Sequence, residues 1–236
     1  KIEPPSGDYA RTLGPFPGDI PHPEKSGLFL FLNTNKRGIV LDLKTPEGVE
    51  TVKKLVRDAD ILVENFRPGV MSALGLDYAT LLAINPNLVM TSISNFGQTG
   101  PYRDFLASEL TLFAMGGKMN TSGLPDRYPL KLGGNHVQYQ AGNVAAMASL
   151  FAWYGRMYQG MGGQEIDISI FETQMGSINN RTISLVQYQY TGERGKRVGA
   201  LRAGYPAGYY PSQDGYVLIT GGADKWPNTV DLLGMP

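Results

Sequence analysis

The most informative absence from this chain of 236 residues is cysteine, which does not occur at all. Disulfides, thiolate metal sites and a cysteine nucleophile are therefore excluded. Histidine is almost as scarce, because His22 and His136 are the two present. A multi-histidine metal site is not expected from so few ligands, and the sequence predicts no bound metal.

Excess charge of one sign and long apolar runs are also missing. Twenty-one basic residues balance 21 acidic ones, which argues against a protein drawn to nucleic acid or to a membrane surface by its overall charge. No stretch is long and apolar enough to span a bilayer. With 42% hydrophobic residues to build a sizeable core, the sequence predicts a cytoplasmic enzyme or binding protein.

Two apolar segments stand out because each runs into a loop of small and polar residues. Leu88–Ser94 is rich in β-branched residues, and the loop that follows it, up to Tyr102, contains glycine, proline, asparagine, glutamine and threonine. Asp60–Glu64 has the same design and leads into Asn-Phe-Arg-Pro-Gly. Ligands of open α/β sheets bind outside the carboxyl ends of the strands. We therefore expect two strand ends that offer loops to one crevice, with ordinary strand-to-helix connections as the alternative.

Strand-like and helix-like segments alternate along the chain, which is typical of a parallel sheet. The expected strands are Ile39–Leu43, Asp60–Glu64, Leu88–Ser94 and Gln164–Ser169. One expected helix begins at Pro46 after the cap Thr45, and a long one ends at Tyr190. The others are expected near Val70–Leu74, Tyr78–Ile84, Phe105–Met115 and Gln140–Tyr158. The pattern predicts an α/β fold with a Rossmann-like, open, mostly parallel sheet flanked by helices. Ser6–Ser26 is expected to be a loop, and Gln140–Tyr158, apolar all round, to be buried.

The predicted domains divide the chain unequally. A large α/β domain is expected over residues 1–190, a connector rich in Gly, Arg and Tyr over 191–211, and the start of a smaller second domain over 212–236. Both ends look cut, so we expect a fragment whose first βα unit and later second domain are absent.

Several motifs together resemble one family, the family III CoA-transferases of the CaiB/BaiF type, which include formyl-CoA:oxalate and carnitine CoA-transferases. The resemblance covers nearly the whole chain, and no motif is specific by itself. The motifs are KIEPP-SGD--R, NTNKRGIVLDLKTPEG, DILVENFRPGVM, SISNFGQTGPYRD, the Ala-rich helix with G-x-GGQ-E-IDISI-E after it, and YYPSQDGYV.

The resemblance implies transfer of CoA between an acyl-CoA thioester and a small carboxylic acid, by two chains interlocked as a homodimer. Because CoA carries a 3′-phosphate and a diphosphate, cations are candidate ligands. They are Arg11, Lys36, Arg37, Arg67, Arg103 and Lys131. The groove for the adenine or pantetheine arm would be lined by Asn95, Phe96 and Gly97. The alternatives are solvated surface cations and, for Phe96, a place in the core.

The sequence departs from the family at the nucleophile. Family members use an aspartate, four residues before the glycine that opens the Ala-rich helix, to attack the thioester. Here that glycine is Gly142 and the position holds Gln138, whose amide is a poor nucleophile. On a short strand His136 would share a face with Gln138, so it is a candidate acid or base, although a lone histidine is more often structural.

A second carboxylate is the remaining catalytic candidate. Related racemases pair the aspartate with a histidine, and the corresponding dipeptide here is Ser108-Glu109. Glu109 can act in catalysis or simply stand at the start of a helix. Three hypotheses follow: a CoA-transferase with altered chemistry, a CoA-binding subunit without chemistry of its own, and a non-covalent acyl-CoA isomerase or lyase.

Overall fold

The protein is an α/β protein whose structure, a computed structural model, describes residues 1–175, 181–194, 197, 208–219, 224, 226–232 and 234. The chain forms two compact units. The first contains Lys1–Ser92 and Met147–Ile166, and the second contains Ile93–Ala146 and Asp167–Pro236. Neither unit is continuous in sequence, so each depends on segments that are distant along the chain.

The strands form a three-stranded sheet and two smaller pairs. Strand β1 (Ile2–Glu3) pairs in parallel with β2 (Ile39–Val40). Strand β3 (Ile61–Glu64) pairs in parallel with β4 (Val89–Ser94), and β5 (Gln164–Ser169) lies on the other side of β4. These three strands confirm the expected strands Asp60–Glu64, Leu88–Ser94 and Gln164–Ser169. Parallel strands require crossover connections, which the helices supply.

The later part of the chain adds an antiparallel pair. Strand β6 (Gly208–Pro211) pairs with β7 (Tyr216–Ile219), so that Gly208 lies opposite Ile219. The end of the predicted connector is therefore a strand, and part of the predicted small unit is the second strand of this pair. Within the predicted connector, residues 195–196 and 198–207 lie outside the described residues.

The helices of the first unit begin at side-chain caps. They are α1 (Gly27–Leu32), α2 (Pro46–Val56), α3 (Val70–Ala73) and α4 (Tyr78–Ile84). The Thr45 hydroxyl accepts the Gly48 N–H and Asp77 accepts the Thr80 N–H, so α2 begins at the predicted proline. These helices cover one core cluster: Val52, Val56, Leu76, Leu81, Leu88 and Met90.

The second unit has its own core around its own helices. They are α5 (Glu109–Met115), the first turns of α6 (His136–Gln159), α7 (Ile170–Met175), α8 (Arg181–Thr191) and α9 (Trp226–Leu232). Phe96, Leu112, Phe113 and Val137 are buried together. The long helix expected to end at Tyr190 is described as α7 and α8, and residues 176–180 between them lie outside the described residues.

Three expectations about element boundaries were wrong. Helix α5 begins at Glu109 and not at Phe105, because Ser108 and Thr111 form a capping box. Strand β2 ends at Val40, since Asp42 already accepts the Thr45 N–H in a turn. The loop Ser6–Ser26 contains two short 3-10 turns, at Tyr9–Thr12 and Pro17–Asp19.

Helix α6 differs most from its prediction. It begins four residues before Gln140, and it is not buried all round. Ala145, Ser149 and Ala152 are buried, whereas one face of the later turns is open. The residues on this open face are 52–70% exposed: Met147, Leu150, Phe151, Tyr154, Met157 and Tyr158. The small residues lie on the covered face of the helix, and the bulky residues point the other way.

Polar contacts fix α6 within the first unit. The hydroxyls of Thr91 and Ser149 are hydrogen-bonded at 2.7 Å and both residues are buried. Arg156 forms an ion pair with Asp60 and donates to the Asn87 carbonyl at 3.0 Å. The bond from Arg156 holds the pKa of Asp60 below its usual value. No helix among the described residues has the length and hydropathy needed to cross a membrane.

Candidate functional site

The loop after β4 is shaped by a carboxylate from β5. Gly97 has a φ of +86°, a conformation that favours glycine. A Cβ there would lie 3.2 Å from Asp167 Oδ2, and the Gln98 N–H donates to the same oxygen at 2.8 Å. The Asn95 carbonyl accepts the Phe171 N–H at 3.0 Å. Backbone contacts on both sides of Gly97 therefore fix the course of this loop.

Phe96 belongs to the core and not to an open groove. Its side chain is 8% exposed and packs with Leu112, Phe113 and Val137. The ring centroids of Tyr102 and Phe171 lie 5.7 and 5.8 Å from that of Phe96. The structure thus favours the core alternative for Phe96, whose role is to hold the loop onto the second unit.

The stretch 94–109 is unusual in its unpaired polar atoms. Within the described part of the chain, five buried side-chain atoms have no hydrogen-bond partner, and four of them lie in this stretch. They are Ser94 Oγ, Gln98 Nε2, Arg103 Nε and Glu109 Oε2. A buried polar group without a partner is costly, and such groups call for an explanation such as a ligand. Among the described residues, the Arg103 side chain makes a long contact of 4.0 Å with Asp104.

Glu109 connects the start of α5 to the start of α6. Its Oε1 accepts the Val137 N–H at 2.8 Å, and this amide is one of the unpaired donors of the first turn of α6. This contact supports the structural alternative for Glu109, since a carboxylate stabilises a helix N-terminus. Its Oε2 remains the buried, unpaired oxygen.

His136 and Gln138 do not share a face, which corrects the expectation of a short strand. They are the first and third residues of α6, and residues two apart on a helix point about 200° apart. His136 is partly buried with its ring edge-on to Phe113, at 6.5 Å between centroids. Gln138 is exposed, and its side-chain amide has no hydrogen bond to a carboxylate among the residues described.

Arg11 is held by protein groups on several sides. It donates to both oxygens of Glu3, at 2.8 and 3.1 Å, and to Glu24 at 3.0 Å. Its guanidinium carbon lies 3.7 Å from the centre of the Phe29 ring. The hydrogen bond from Arg11 is the main reason why the pKa of Glu3 lies below its usual value. This geometry favours a structural role for Arg11 over phosphate binding.

The other cations differ in how far they are engaged. Lys36 donates to the Leu32 carbonyl at 2.8 Å and so closes the end of α1. Lys131 donates to the carbonyls of Leu132 and Gly134, at 2.5 and 2.7 Å, in the loop before α6. Arg37 and Arg67 are exposed, and their guanidinium groups have no partner among the described residues. These two are the cations most available to a phosphate.

Asp167 is the residue of this site that sequence reasoning missed. It stands in the alternating run Gln164–Ser169, where polar side chains on one face of a strand are expected to be solvated. The signal was its place beside Ile166 and Ile168 in a motif quoted for the family. Its partner Gln98 is 69 residues away in sequence, which no local pattern reveals. No group of three or more potential metal ligands occurs within the described ranges.

A parallel sheet with polar, glycine-containing loops after its strands is typical of Rossmann-like α/β proteins. A family model described as CoA-transferase family III matches residues 1–236. The chain therefore belongs to CoA-transferase family III.

Individual relatives agree with this assignment. The chain is 37% identical to an acetyl-CoA:oxalate CoA-transferase of Acetobacter aceti over 241 residues, covering 100% of this chain and 59% of that protein. It is 37% identical to a succinyl-CoA–D-citramalate CoA-transferase of Chloroflexus aurantiacus, covering 94% of this chain and 54% of that protein. The chain thus spans somewhat more than half the length of these curated relatives.

The fold agrees as well. A crystal structure of a CaiB/BaiF family protein from Brucella suis superimposes with a TM-score of 0.85 at 35% identity. The match covers 99% of this chain and 61% of that one. The resemblance stated from the sequence motifs is confirmed.

Proposed function

We propose that the protein acts as a CoA-transferase that moves CoA between an acyl-CoA thioester and a small carboxylic acid. The observation that carries the proposal is the family match over residues 1–236. The relatives above are named for an acyl-CoA donor and a carboxylic acid acceptor, and a succinate–glutarate CoA-transferase of Agrobacterium fabrum is 35% identical. CoA enters as a substrate and leaves as part of the product thioester.

The loop after β4 supports CoA binding by its chemistry. The buried Gln98 Nε2 and Arg103 Nε are hydrogen-bond donors without acceptors in the described chain, and the phosphates and amide carbonyls of CoA are acceptors. The backbone of Asn95 and Gly97 flanks these donors. In the first unit, the unpaired guanidinium groups of Arg37 and Arg67 are candidates for the phosphates.

The covalent route of the family has no carboxylate at position 138. In that route a carboxylate oxygen bonds to the thioester carbonyl carbon, CoA leaves as a thiolate, and a mixed anhydride remains on the enzyme. The Gln138 amide cannot supply such an anion. Glu109 Oε2 is buried and has no hydrogen-bond partner among the described residues, so Glu109 is the carboxylate we assign to the chemistry of a chain that reacts by itself.

A second candidate function is that of a CoA-binding subunit that works beside a catalytically complete chain. The exposed Gln138 in place of a nucleophile favours it. Two relatives are named as subunits: the subunit BbsE of a succinyl-CoA:(R)-benzylsuccinate CoA-transferase of Thauera aromatica, 33% identical, and the beta subunit of a succinyl-CoA–L-malate CoA-transferase of Chloroflexus aurantiacus, 32% identical.

Acyl-CoA consumption by the full-length protein separates these functions. Succinyl-CoA or acetyl-CoA is incubated with the protein, with and without oxalate or glutarate, and the CoA species are followed by chromatography. Consumption that depends on the added acid supports the transferase. Binding of the thioester without turnover, and turnover restored by a second chain, supports the subunit. Absence of thioester binding overturns both, and acid-independent conversion indicates an isomerase or lyase.

We also infer that the protein assembles as a homodimer. The interlocked form follows from the family resemblance alone. The support within this chain is the apolar face of α6, from Met147 to Tyr158, which leaves six bulky side chains at least half exposed. A groove of about 410 Å³ beside it is lined partly by Phe151, Tyr154 and Met161. Exposed apolar patches of this kind mark interaction surfaces.

A further inference from the structure

Asp167 makes a hydrogen bond to the loop after β4 that the stability of its own strand, β5, does not explain. It stands on β5 as an exposed residue, where a carboxylate could remain fully hydrated. Instead Oδ2 accepts the Gln98 N–H at 2.8 Å. A charge-assisted hydrogen bond of this kind is stronger than one between neutral groups. It ties the loop after β4 to the neighbouring strand.

The close approach at Gly97 shows that the loop is built around this carboxylate. Measured from the position of an added Cβ, Asp167 Oδ2 is 3.2 Å away, Oδ1 is 3.7 Å away and Ser169 Cβ is 3.6 Å away. The φ of +86° at Gly97 turns the chain so that the next N–H faces the carboxylate. Glycine is thus favoured at residue 97 by its backbone conformation, and a Cβ there would also press on the Asp167 carboxylate.

The residue fixed by Asp167 is the one that carries an unsatisfied donor. The backbone N–H of Gln98 is held by Asp167, while its side-chain Nε2 is buried and has no acceptor among the residues that the structure describes. A buried amide nitrogen without an acceptor destabilises the folded chain. An oxygen of a ligand that reaches this nitrogen would remove that cost.

We propose that Asp167 is a positioning residue for substrate binding, which holds the Gln98 peptide so that the Gln98 side-chain amide donates to a carbonyl or phosphate oxygen of the CoA thioester. The inference rests on the proposed function. Asp167 itself does not touch the substrate in this arrangement, and Gln98 makes the contact. Loss of either residue weakens thioester binding, but only loss of Asp167 releases the loop.

Four variants of the full-length protein test the inference. Asp167→Ala removes the acceptor, Asp167→Asn keeps an acceptor oxygen without the charge, and Gln98→Ala removes the side-chain donor but keeps the backbone N–H. Glu165→Ala is the matched control, because it deletes another exposed carboxylate from the same face of β5. Isothermal titration with acetyl-CoA gives Kd, and hydrogen exchange of peptides covering 95–101 reports on the loop.

The expected results differ between the variants. Asp167→Ala raises the Kd for acetyl-CoA about tenfold and speeds exchange at the Gln98 amide, as loss of a charged hydrogen-bond partner predicts. Asp167→Asn restores most of both properties. Gln98→Ala raises the Kd without faster exchange at its neighbours, and Glu165→Ala changes neither quantity.

Failure of the inference is distinguishable from failure of the proposed function. If the unaltered protein binds acetyl-CoA and Asp167→Ala binds it equally well, the positioning role is overturned while CoA binding stands. Faster exchange in Asp167→Ala with an unchanged Kd limits Asp167 to loop structure and also overturns the role. If the unaltered protein binds no CoA thioester, the proposed function is overturned and this role with it.

Discussion

At the scale of single residues, we propose that Gln138 limits the chemistry available to this chain. The residue lies in the first turn of α6 and is exposed, so a carboxylate there would be accessible from solvent. The family position was identified from its distance to Gly142, which is a local pattern. Its helical setting could not be identified in this way.

We predict that Gln138→Asp gains the ability to form an acyl-enzyme that the unaltered protein cannot form at that position. An aspartate is one methylene shorter than glutamine and provides the anionic oxygen that attacks the thioester. After incubation with acyl-CoA and trapping with hydroxylamine or borohydride, peptide mass spectrometry reads the modification within residues 133–142.

Gln138→Asn is the matched control, because it has the shorter side chain without the charge and should remain unmodified. An adduct on Glu109 of the unaltered protein would show that this carboxylate has taken over the nucleophilic role. A variant with aspartate that binds acyl-CoA and forms no adduct would instead favour the subunit function.

The Glu3–Arg11 pair leads to a prediction about pH. The pKa of Glu3 in the folded chain lies below its ordinary value of 4.5, chiefly because Arg11 donates to it. A carboxyl whose pKa is lowered by folding stabilises the protein fully above its unfolded pKa. That stabilisation is lost as the pH falls below about 4.5 and through the lower, folded pKa.

Replacement of Glu3 by glutamine should therefore lower Tm at neutral pH, by roughly 5 °C. It should also make Tm less dependent on pH below about 4.5 than in the unaltered protein. Differential scanning calorimetry between pH 3 and 7 makes the measurement. Glu193→Gln, at an exposed carboxyl, should leave both Tm and its pH dependence unchanged. Equal pH slopes for the unaltered protein and Glu3→Gln would contradict this account.

At the scale of elements, local patterns predicted what local interactions decide. The start of α2 followed from Thr45 and Pro46, whose effects reach only a few residues. The start of α6 did not follow, because the group that binds its first-turn amide is Glu109, 28 residues earlier. Its exposed face was also unpredictable, since an all-round apolar composition does not say which side is covered.

The turn before β5 gives a prediction about a single glycine. Gly163 donates its N–H to the Pro86 carbonyl at 2.9 Å. A Cβ added to it would lie 2.5 Å from the Leu88 carbonyl oxygen, which is a backbone atom and cannot rotate away. Gly163→Ala should therefore push the turn away from the end of β4 and destabilise the protein by about 3 kcal/mol.

The neighbouring glycine is a suitable control for this measurement. A Cβ on Gly162 meets its nearest heavy atom, the Pro86 carbonyl oxygen, at 3.9 Å, an ordinary contact. Gly162→Ala should change stability by less than about 0.5 kcal/mol. Urea unfolding followed by circular dichroism gives both values. Equal stabilities for the two variants would mean that the turn before β5 adapts without cost.

At the scale of the whole molecule, the apolar face of α6 is the feature that one chain leaves unexplained. Its side chains recur at positions 147, 150, 151, 154, 157 and 158, and all are at least half exposed. Their spacing places them on one face of the helix. Ala145, Ser149 and Ala152 on the opposite face are buried, so the helix has one covered face and one open face.

We predict that the full-length protein is a dimer that buries this face and that Leu150→Asp raises its dimer dissociation constant by roughly 100-fold, as loss of a central apolar contact does at interfaces. Leu55→Asp on α2 is a closely matched control, because Leu55 is 48% exposed and Leu150 is 55% exposed. Both substitutions add one charge to an exposed helix position of the first unit, so they should have similar effects on the stability of the chain itself.

Light scattering with sedimentation equilibrium measures the mass and the dissociation constant. A dimer weakened equally by both variants, or by neither, would place the interface elsewhere, and a monomer at all concentrations would overturn the assembly proposal.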